Sequence, residues 1–369
     1  MSDPPLTALI NAIPASVPFV GPEQLERSRG ARFEARLGAN ENGFGPSPRV
    51  IAAMRQAASE TWQYADPTSH DLIAAVARLH GIAAANVVVG EGIDGLLGLT
   101  IHMALERGAA VVTSDGAYPT FNFHVTSHGG TLIKVPYVAD REDIAGLLDA
   151  AHRHRAAIVY LSNPDNPMGS WWPAGEIHRL AAHLPPGCLL CLDEAYIDTL
   201  PKLEHPLIDV HYPQVLRFRT LSKAYGMAGA RIGYAMGPAR LIAAFEKVRN
   251  HYGINRVGQL GGLAAIEDQA YLHEVVVKIS RARDRIGAIA RANGLHPLAS
   301  AASFVAINCG RDGAYATRIL EGLIARDVFV RKPSVAPLDR CIRVSCGPDD
   351  ALDVFAAALP HAIVQAQSK

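Results

Sequence analysis

Five cysteines among 369 residues, an odd number, are too few to frame a disulfide-stapled domain, so reduced thiols in a cytosol are expected. Neither sign of charge is in excess. Lys plus Arg and Asp plus Glu each number 35, and the formal net charge is zero. That balance excludes the basic footprint of a nucleic-acid binder and the acidic tail of a solvating scaffold. No apolar run approaches the roughly 20 residues that a membrane helix needs. The opening MSDPPLTALINAIPASVPFVGPEQ has no basic n-region and is interrupted by prolines, so no signal peptide is expected. Internal repeats and low-complexity stretches are also missing. These absences leave a cytoplasmic enzyme or small-molecule binder with neither nucleic acid nor membrane as partner.

What is present suits a large core. The chain is 49% hydrophobic and 19% charged, and its length suggests two domains. Apolar, β-rich runs alternate with helix-like stretches over the first two-thirds. The strand candidates are NVVV (86–89), AAVVTS (109–114), TLIKVP (131–136), AAIVYLS (156–162), CLLCLD (188–193), VLRFRT (215–220) and GYAMG (233–237). They alternate little between polar and apolar, as strands covered by helices on both faces do. A mostly parallel α/β sheet follows. After Gly237 a long helical region, about 238–293, leads into SFVAINC, VFVRK and CIRVSC, which reads as a smaller α+β domain. The expected division is a segment 1–44 packing with the small domain, a large domain 45–250 and a small domain 251–369.

Two features invite a metal reading and do not sustain it. Cys188 and Cys191 form a C-x-x-C, but in a strand residues three apart face opposite ways, and no second pair stands at zinc spacing. His152, His154 and His178 lie in polar helical stretches and read as solvated. No metal is expected.

The turn Gly90-Glu91-Gly92-Ile93-Asp94-Gly95 is a literal G-x-G-x-x-G between a β-branched run and a helical one, with Asp115 twenty residues further on. Taken alone, it reads as a dinucleotide site and a nicotinamide dehydrogenase. Other strand ends carry a different set. CLLCL ends on Asp193-Glu194-Ala195-Tyr196, AAIVYLS on Asn163-Pro164-Asp165-Asn166, and VLRFRT on Leu221-Ser222-Lys223, with Arg231 eight residues later. A lysine among glycines and apolar residues can form a Schiff base. An acid ending an apolar strand needs a cation, and a protonated pyridine nitrogen is one. Tyr196 and Asn166 could hydrogen-bond a phenolate oxygen, while Ser222, Arg231 and a helix N-terminus make a dianion seat. One small molecule satisfies all of these groups: pyridoxal 5'-phosphate.

The segments LGANENGFGPSP (37–48), GEGIDGLL (90–97), DGAYPTF (115–121), NPDNPMG (163–169), LDEAYID (192–198), LSKAYGMAGARIGY (221–234) and VRKP…RCIRVSCG (330–347) stand in one order along the chain. In that order the sequence resembles the fold-type-I, class I/II aminotransferases that use pyridoxal phosphate, in particular the histidinol-phosphate group. The resemblance implies that Lys223 is the Schiff-base lysine, Asp193 the partner of the ring nitrogen, and Tyr196 and Asn166 the holders of the ring oxygen. Ser222, Arg231, Gly92, Ile93 and Asp94 would hold the phosphate end, Tyr118 would stack on the ring, and Tyr64 would reach over from a second subunit. Arg343 would grip the substrate carboxylate, with Arg331, Asn40, Glu41 and Asn42 also lining the substrate site. It further implies a homodimer that passes an amino group from an amino donor to a 2-oxo acid. Related chemistries are an aromatic amino-acid aminotransferase and a phosphothreonine-type decarboxylase, and a regulator of the same fold would need an added DNA-binding domain. Four positions depart from the family pattern: Met168 for Thr, Ile93 for a small or hydroxyl residue, Ser303 for Asn, and Phe19 and Val20 where a tyrosine is usual.

Overall fold

The computed structural model describes residues 5–15, 20–207 and 209–368. Its twelve strands are β1 Ala35–Arg36, β2 Val87–Gly90, β3 Ala110–Ser114, β4 Thr131–Val135, β5 Ile158–Ser162, β6 Leu189–Asp193, β7 Val215–Thr220, β8 Gly233–Met236, β9 His296–Pro297, β10 Phe304–Asn308, β11 Val328–Phe329 and β12 Cys341–Ser345. The seven runs from β2 to β8 make one sheet in the order β2-β8-β7-β6-β5-β3-β4. It is parallel except for β8, which runs antiparallel to both β2 and β7. Its middle strands β5, β6 and β7 are buried along their whole length, which is why they lack polar alternation.

Helices cover both faces. Gly92–Ala104 and Pro119–His128 pack Leu96, Leu97, Ile101, Phe121 and Val125 with Leu216, Phe218 and Ala235. Ile144–His154 and Ala174–Ala182 pack on the other side with Val159, Leu161, Leu190 and Leu192. Cys188 falls in that second core and Cys191 in the first, so the two thiols do face apart. All five cysteines are free and buried.

The long helical region expected over 238–293 is broken. It resolves into Ala239–Ala244, a 3-10 turn Phe245–Lys247, and the helices Arg256–Glu267 and Gln269–Ala292. The breaks have local causes. The Asn255 side chain accepts from the Gly258 amide at 2.6 Å, and Asp268 accepts from Tyr271 N–H at 3.4 Å, so each starts a new helix.

Beyond them β9, β10 and β12 form an antiparallel sheet in which Arg343 sits opposite Ala306. The short β1 pairs with β11, and Ala35 and Leu37 enter a core with Val305, Ile319, Val344 and Phe355. Residues from the start of the chain thereby share a core with its last third. Among the described residues no helix is long and apolar enough to cross a membrane, and no group of three His, Cys, Asp or Glu could hold a metal ion.

Candidate active site

The carboxyl ends of β5, β6 and β7 and the turn after β2 open onto one cleft of about 440 Å³. Asn40, Glu41, Ile93, Asp94, Tyr118, Asn166, Asp193, Tyr196, Ser222, Lys223, Arg231, Arg331 and Arg343 all line it. A cleft of that size at the ends of parallel strands is where a small molecule binds in an open α/β sheet.

The turn after β2 is shaped by close approach. Gly92 has φ of +80°, and a Cβ there would lie 2.5 Å from Arg231 Nη2. A Cβ on Gly233 would lie 2.8 Å from the carbonyl carbon of Gly92. Bare backbone at both positions lets the start of helix Gly92–Ala104 face the Arg231 guanidinium. Arg231 donates to Ser222 Oγ at 3.3 Å, and its Nη2 is 3.9 Å from Asp94 Oδ2. The Ile93 side chain is buried in the core behind the turn, so this position offers its backbone amide. Tyr118 closes the side of the cleft, its hydroxyl donating to Asp94 Oδ2 at 3.2 Å.

Lys223 follows β7. Its Nζ donates to the Asn40 carbonyl at 3.2 Å and sits 5.6 Å from the centre of the Tyr196 ring. Asn40 takes a left-handed φ of 55°, and its amide nitrogen donates to Tyr196 Oη at 2.9 Å. Its backbone N–H donates to Ser345 Oγ at 3.0 Å, which ties the segment to β12. Asn42 does not line the cleft; it donates to the Ala224 carbonyl at 2.9 Å and braces the lysine loop.

Asp193 lies on the floor, 4% exposed. Its Oδ1 accepts from Ala195 N–H at 2.9 Å and its Oδ2 from Tyr160 Oη at 2.7 Å. It forms no ion pair among the described residues, and burial pushes its carboxyl up to about 6. Arg343, on β12, donates to Asn166 Oδ1, and its buried Nε finds no partner among the described residues. Arg331 donates to the Val20 carbonyl at 2.9 Å. Phe19 lies outside the described residues.

Like Asn42, Tyr64 stands elsewhere. Tyr64 is 77% exposed and rests against Tyr252, with ring centres 4.6 Å apart, outside the cleft of its own chain. Met168 is buried with Ala306, Leu338 and Cys341, so its change from the family pattern fills a core contact. Sequence reasoning missed Tyr160, although a tyrosine inside an apolar strand must find a partner for its hydroxyl. It also missed Tyr137, which donates to Asp165 Oδ1 at 2.8 Å directly behind Asn166.

These residues fit pyridoxal 5'-phosphate on the structure's own terms. An anion seat of Arg231, Ser222 and a helix start stands at one end. A buried carboxylate that forms no ion pair among the described residues lies on the floor, and the Lys223 amine lines the same cleft. The dinucleotide reading of the turn fails, because Asp115 pairs with Lys134 at 3.3 Å and does not line the cleft.

Fold and site together define a pyridoxal-phosphate aminotransferase of fold type I. The chain belongs to the aminotransferase class I and II family, whose profile matches residues 35–359. It is 32% identical to histidinol-phosphate aminotransferase 1 of Mesorhizobium japonicum, over 91% of this chain and 92% of that protein. It is 32% identical to the histidinol-phosphate aminotransferase of Erythrobacter litoralis over the whole of both. Among solved structures, that of histidinol-phosphate aminotransferase from Sinorhizobium meliloti in complex with pyridoxal-5'-phosphate is 53% identical. It superposes with a TM-score of 0.96 and covers 98% of each chain.

Proposed function

We propose that this aminotransferase takes its amino group from histidinol phosphate and passes it to a 2-oxo acid such as 2-oxoglutarate. The working form would be a cytoplasmic homodimer with shared sites, built as a large domain 45–250, a small domain 251–369 and a joining segment 1–44. The observation that carries the reading is the buried Asp193 carboxylate, with no ion pair among the described residues, on the floor of the cleft that also holds Lys223 and Arg231. The choice of donor rests on near full-length likeness to histidinol-phosphate aminotransferases, at 53% identity for the Sinorhizobium meliloti protein.

When bound, pyridoxal 5'-phosphate supplies a carbonyl carbon to join the donor nitrogen and a ring that takes up the electron pair released at the donor's α-carbon. The amine of Lys223, oriented by the Asn40 carbonyl, would be the base that takes the donor's α-proton and the acid that gives it back. Asp193 holds the proton on the ring nitrogen. The Tyr196 hydroxyl and the Asn166 amide bind the ring oxygen. Arg231, Ser222 and the amides of Gly92 and Ile93 hold the phosphate, while Asp94 fixes Tyr118 against the ring. Arg343 grips the acceptor's α-carboxylate as a planar fork, which a lysine does not reproduce. Arg331 stands beside it for a second acidic group. Exposure of Trp62, Tyr64 and Tyr252 at 82%, 77% and 54% supports an interface through which Tyr64 reaches the other subunit's cleft.

Steady-state turnover with 2-oxoglutarate, compared across histidinol phosphate, phenylalanine, tyrosine and phosphothreonine, tests the donor. Histidinol phosphate should give the highest kcat/KM. A strong preference for phenylalanine with no histidinol-phosphate turnover would overturn the assignment.

A further inference from the structure

Tyr160 occupies the middle of the central sheet, on β5 next to β6, where it pairs in register with Cys191. Its side chain is fully buried and its ring stacks on Phe121, with centres 4.3 Å apart and planes at 17°. The hydroxyl reaches along the neighbouring strand to Asp193 Oδ2, at 2.7 Å. The other carboxylate oxygen is held by the Ala195 amide at 2.9 Å. With one donor on each oxygen, the carboxylate plane cannot turn.

We propose that Tyr160 is a positioning residue for amino transfer, its hydroxyl fixing the Asp193 carboxylate in the orientation and ionised state in which it meets the cofactor's ring nitrogen. The proposal rests on reading Asp193 as the partner of that nitrogen.

The surroundings of Asp193 explain why such a donor is needed. Tyr160 faces it from β5 and Lys223 from the loop after β7. The charge of Asp94 reaches it from helix Gly92–Ala104, and its own charge helps to raise the buried carboxyl of Glu142, before helix Ile144–His154. Burial is the largest influence, and with the charge of Asp94 it favours the protonated acid. Against these, Tyr160 contributes more than either the Ala195 amide or Lys223. The phenol keeps its own proton, because burial first and the Asp193 charge second raise it well above its ordinary value. Tyr160 therefore serves as a fixed donor. Histidine, whose charge changes near neutral pH, would make a less constant one.

Tyr160→Phe removes the hydroxyl and keeps the ring on Phe121, so the variant should fold, as melting and circular dichroism will report. Equilibrium dialysis of the holoenzyme against graded pyridoxal 5'-phosphate, across a pH series, reads the effect without any turnover. The expected result is about a tenfold weaker cofactor affinity at neutral pH, the usual scale for a hydrogen bond to a charged group. The acid limb of the binding profile should move to higher pH, and kcat should fall more than KM changes. The double variant Tyr160→Phe/Asp193→Asn should bind no more weakly than Asp193→Asn alone, since the hydroxyl acts through that carboxylate. Affinity within about twofold of the native protein with an unmoved acid limb would overturn the proposal, as would fully additive losses in the double variant. A different outcome separates the underlying reading: if Asp193→Asn itself binds the cofactor as tightly as the native protein, the role of Asp193 is wrong.

Discussion

Asp193 and Glu194 are consecutive, acidic and buried, and the protein treats them in opposite ways. Glu194 is 0% exposed and accepts from Arg217 Nε at 3.2 Å and from Arg219 Nε at 2.9 Å. Burial alone would raise its carboxyl, yet the two guanidiniums outweigh it and hold the group at about 2. Arg217 also donates to the Pro206 carbonyl at 2.9 Å, so the triad pins the segment after β6. Asp193 has two neutral donors, no ion pair among the described residues, and a carboxyl pushed up to about 6. Successive residues at a strand end point to opposite sides, so the chain completes one acid with ion pairs and gives its neighbour only neutral donors. An incomplete buried charge marks a binding site, whereas a saturated one marks architecture.

That contrast can be broken most sharply at Lys223. Lys223→Ala removes the amine facing Asp193. Transamination should fall by about 10⁴-fold, the upper end for losing a general base, with borohydride no longer fixing the cofactor to the protein. Retained turnover would put the base elsewhere. Next in size is Glu194→Gln, which leaves two buried guanidiniums without their carboxylate. It should cost roughly 3–5 kcal/mol in chemical denaturation, as breaking a buried ion pair does. Asp193→Asn should cost the cofactor-free protein little by comparison, and equal losses at the two positions would erase the distinction.

The smallest effect is the share of the pH slope that Asp193 contributes. Its folded value, about 6, lies above the ordinary 3.8, so the cofactor-free native state binds more protons than the unfolded chain between those values. The stability of the cofactor-free native protein relative to Asp193→Asn should therefore decline as pH rises through that window, while Asp165 and Asp198, whose carboxyls burial also raises, contribute alike to both. Cofactor affinity should run the other way, weakening as pH falls below about 6, because a protonated Asp193 no longer complements a ring cation. Dialysis binding at pH 5 and pH 8 measures it.

Much of this was legible in the chain. The runs buried on both faces announce a parallel sheet, and VLRFRT becomes β7 over the same residues, Val215–Thr220. Lys223, Asp193 and Arg231 stand out because polar groups ending apolar strands need partners, and the structure gathers them in one cleft. Other features were hidden for physical reasons. The breaks within 238–293 depend on single capping side chains at Asn255 and Asp268, which weigh little in a periodicity. In VLRFRT the purpose of the two arginines is visible only once Glu194 lies between them. The Tyr160 hydroxyl and Asp193 are 33 residues apart, and only the pairing of β5 with β6 brings them together.

Asn40 carries a further consequence. The amine of Lys223 rests on its carbonyl, 183 residues away in sequence, and the same residue is fastened to Tyr196 and to Ser345. The Lys223 amine is thus steered by a length of chain that contributes little to the sheet beneath it. An insertion beside residue 40 would leave every side chain of the floor in register and still set the amine adrift. Damage there would show first as lost chemistry and only later as lost stability.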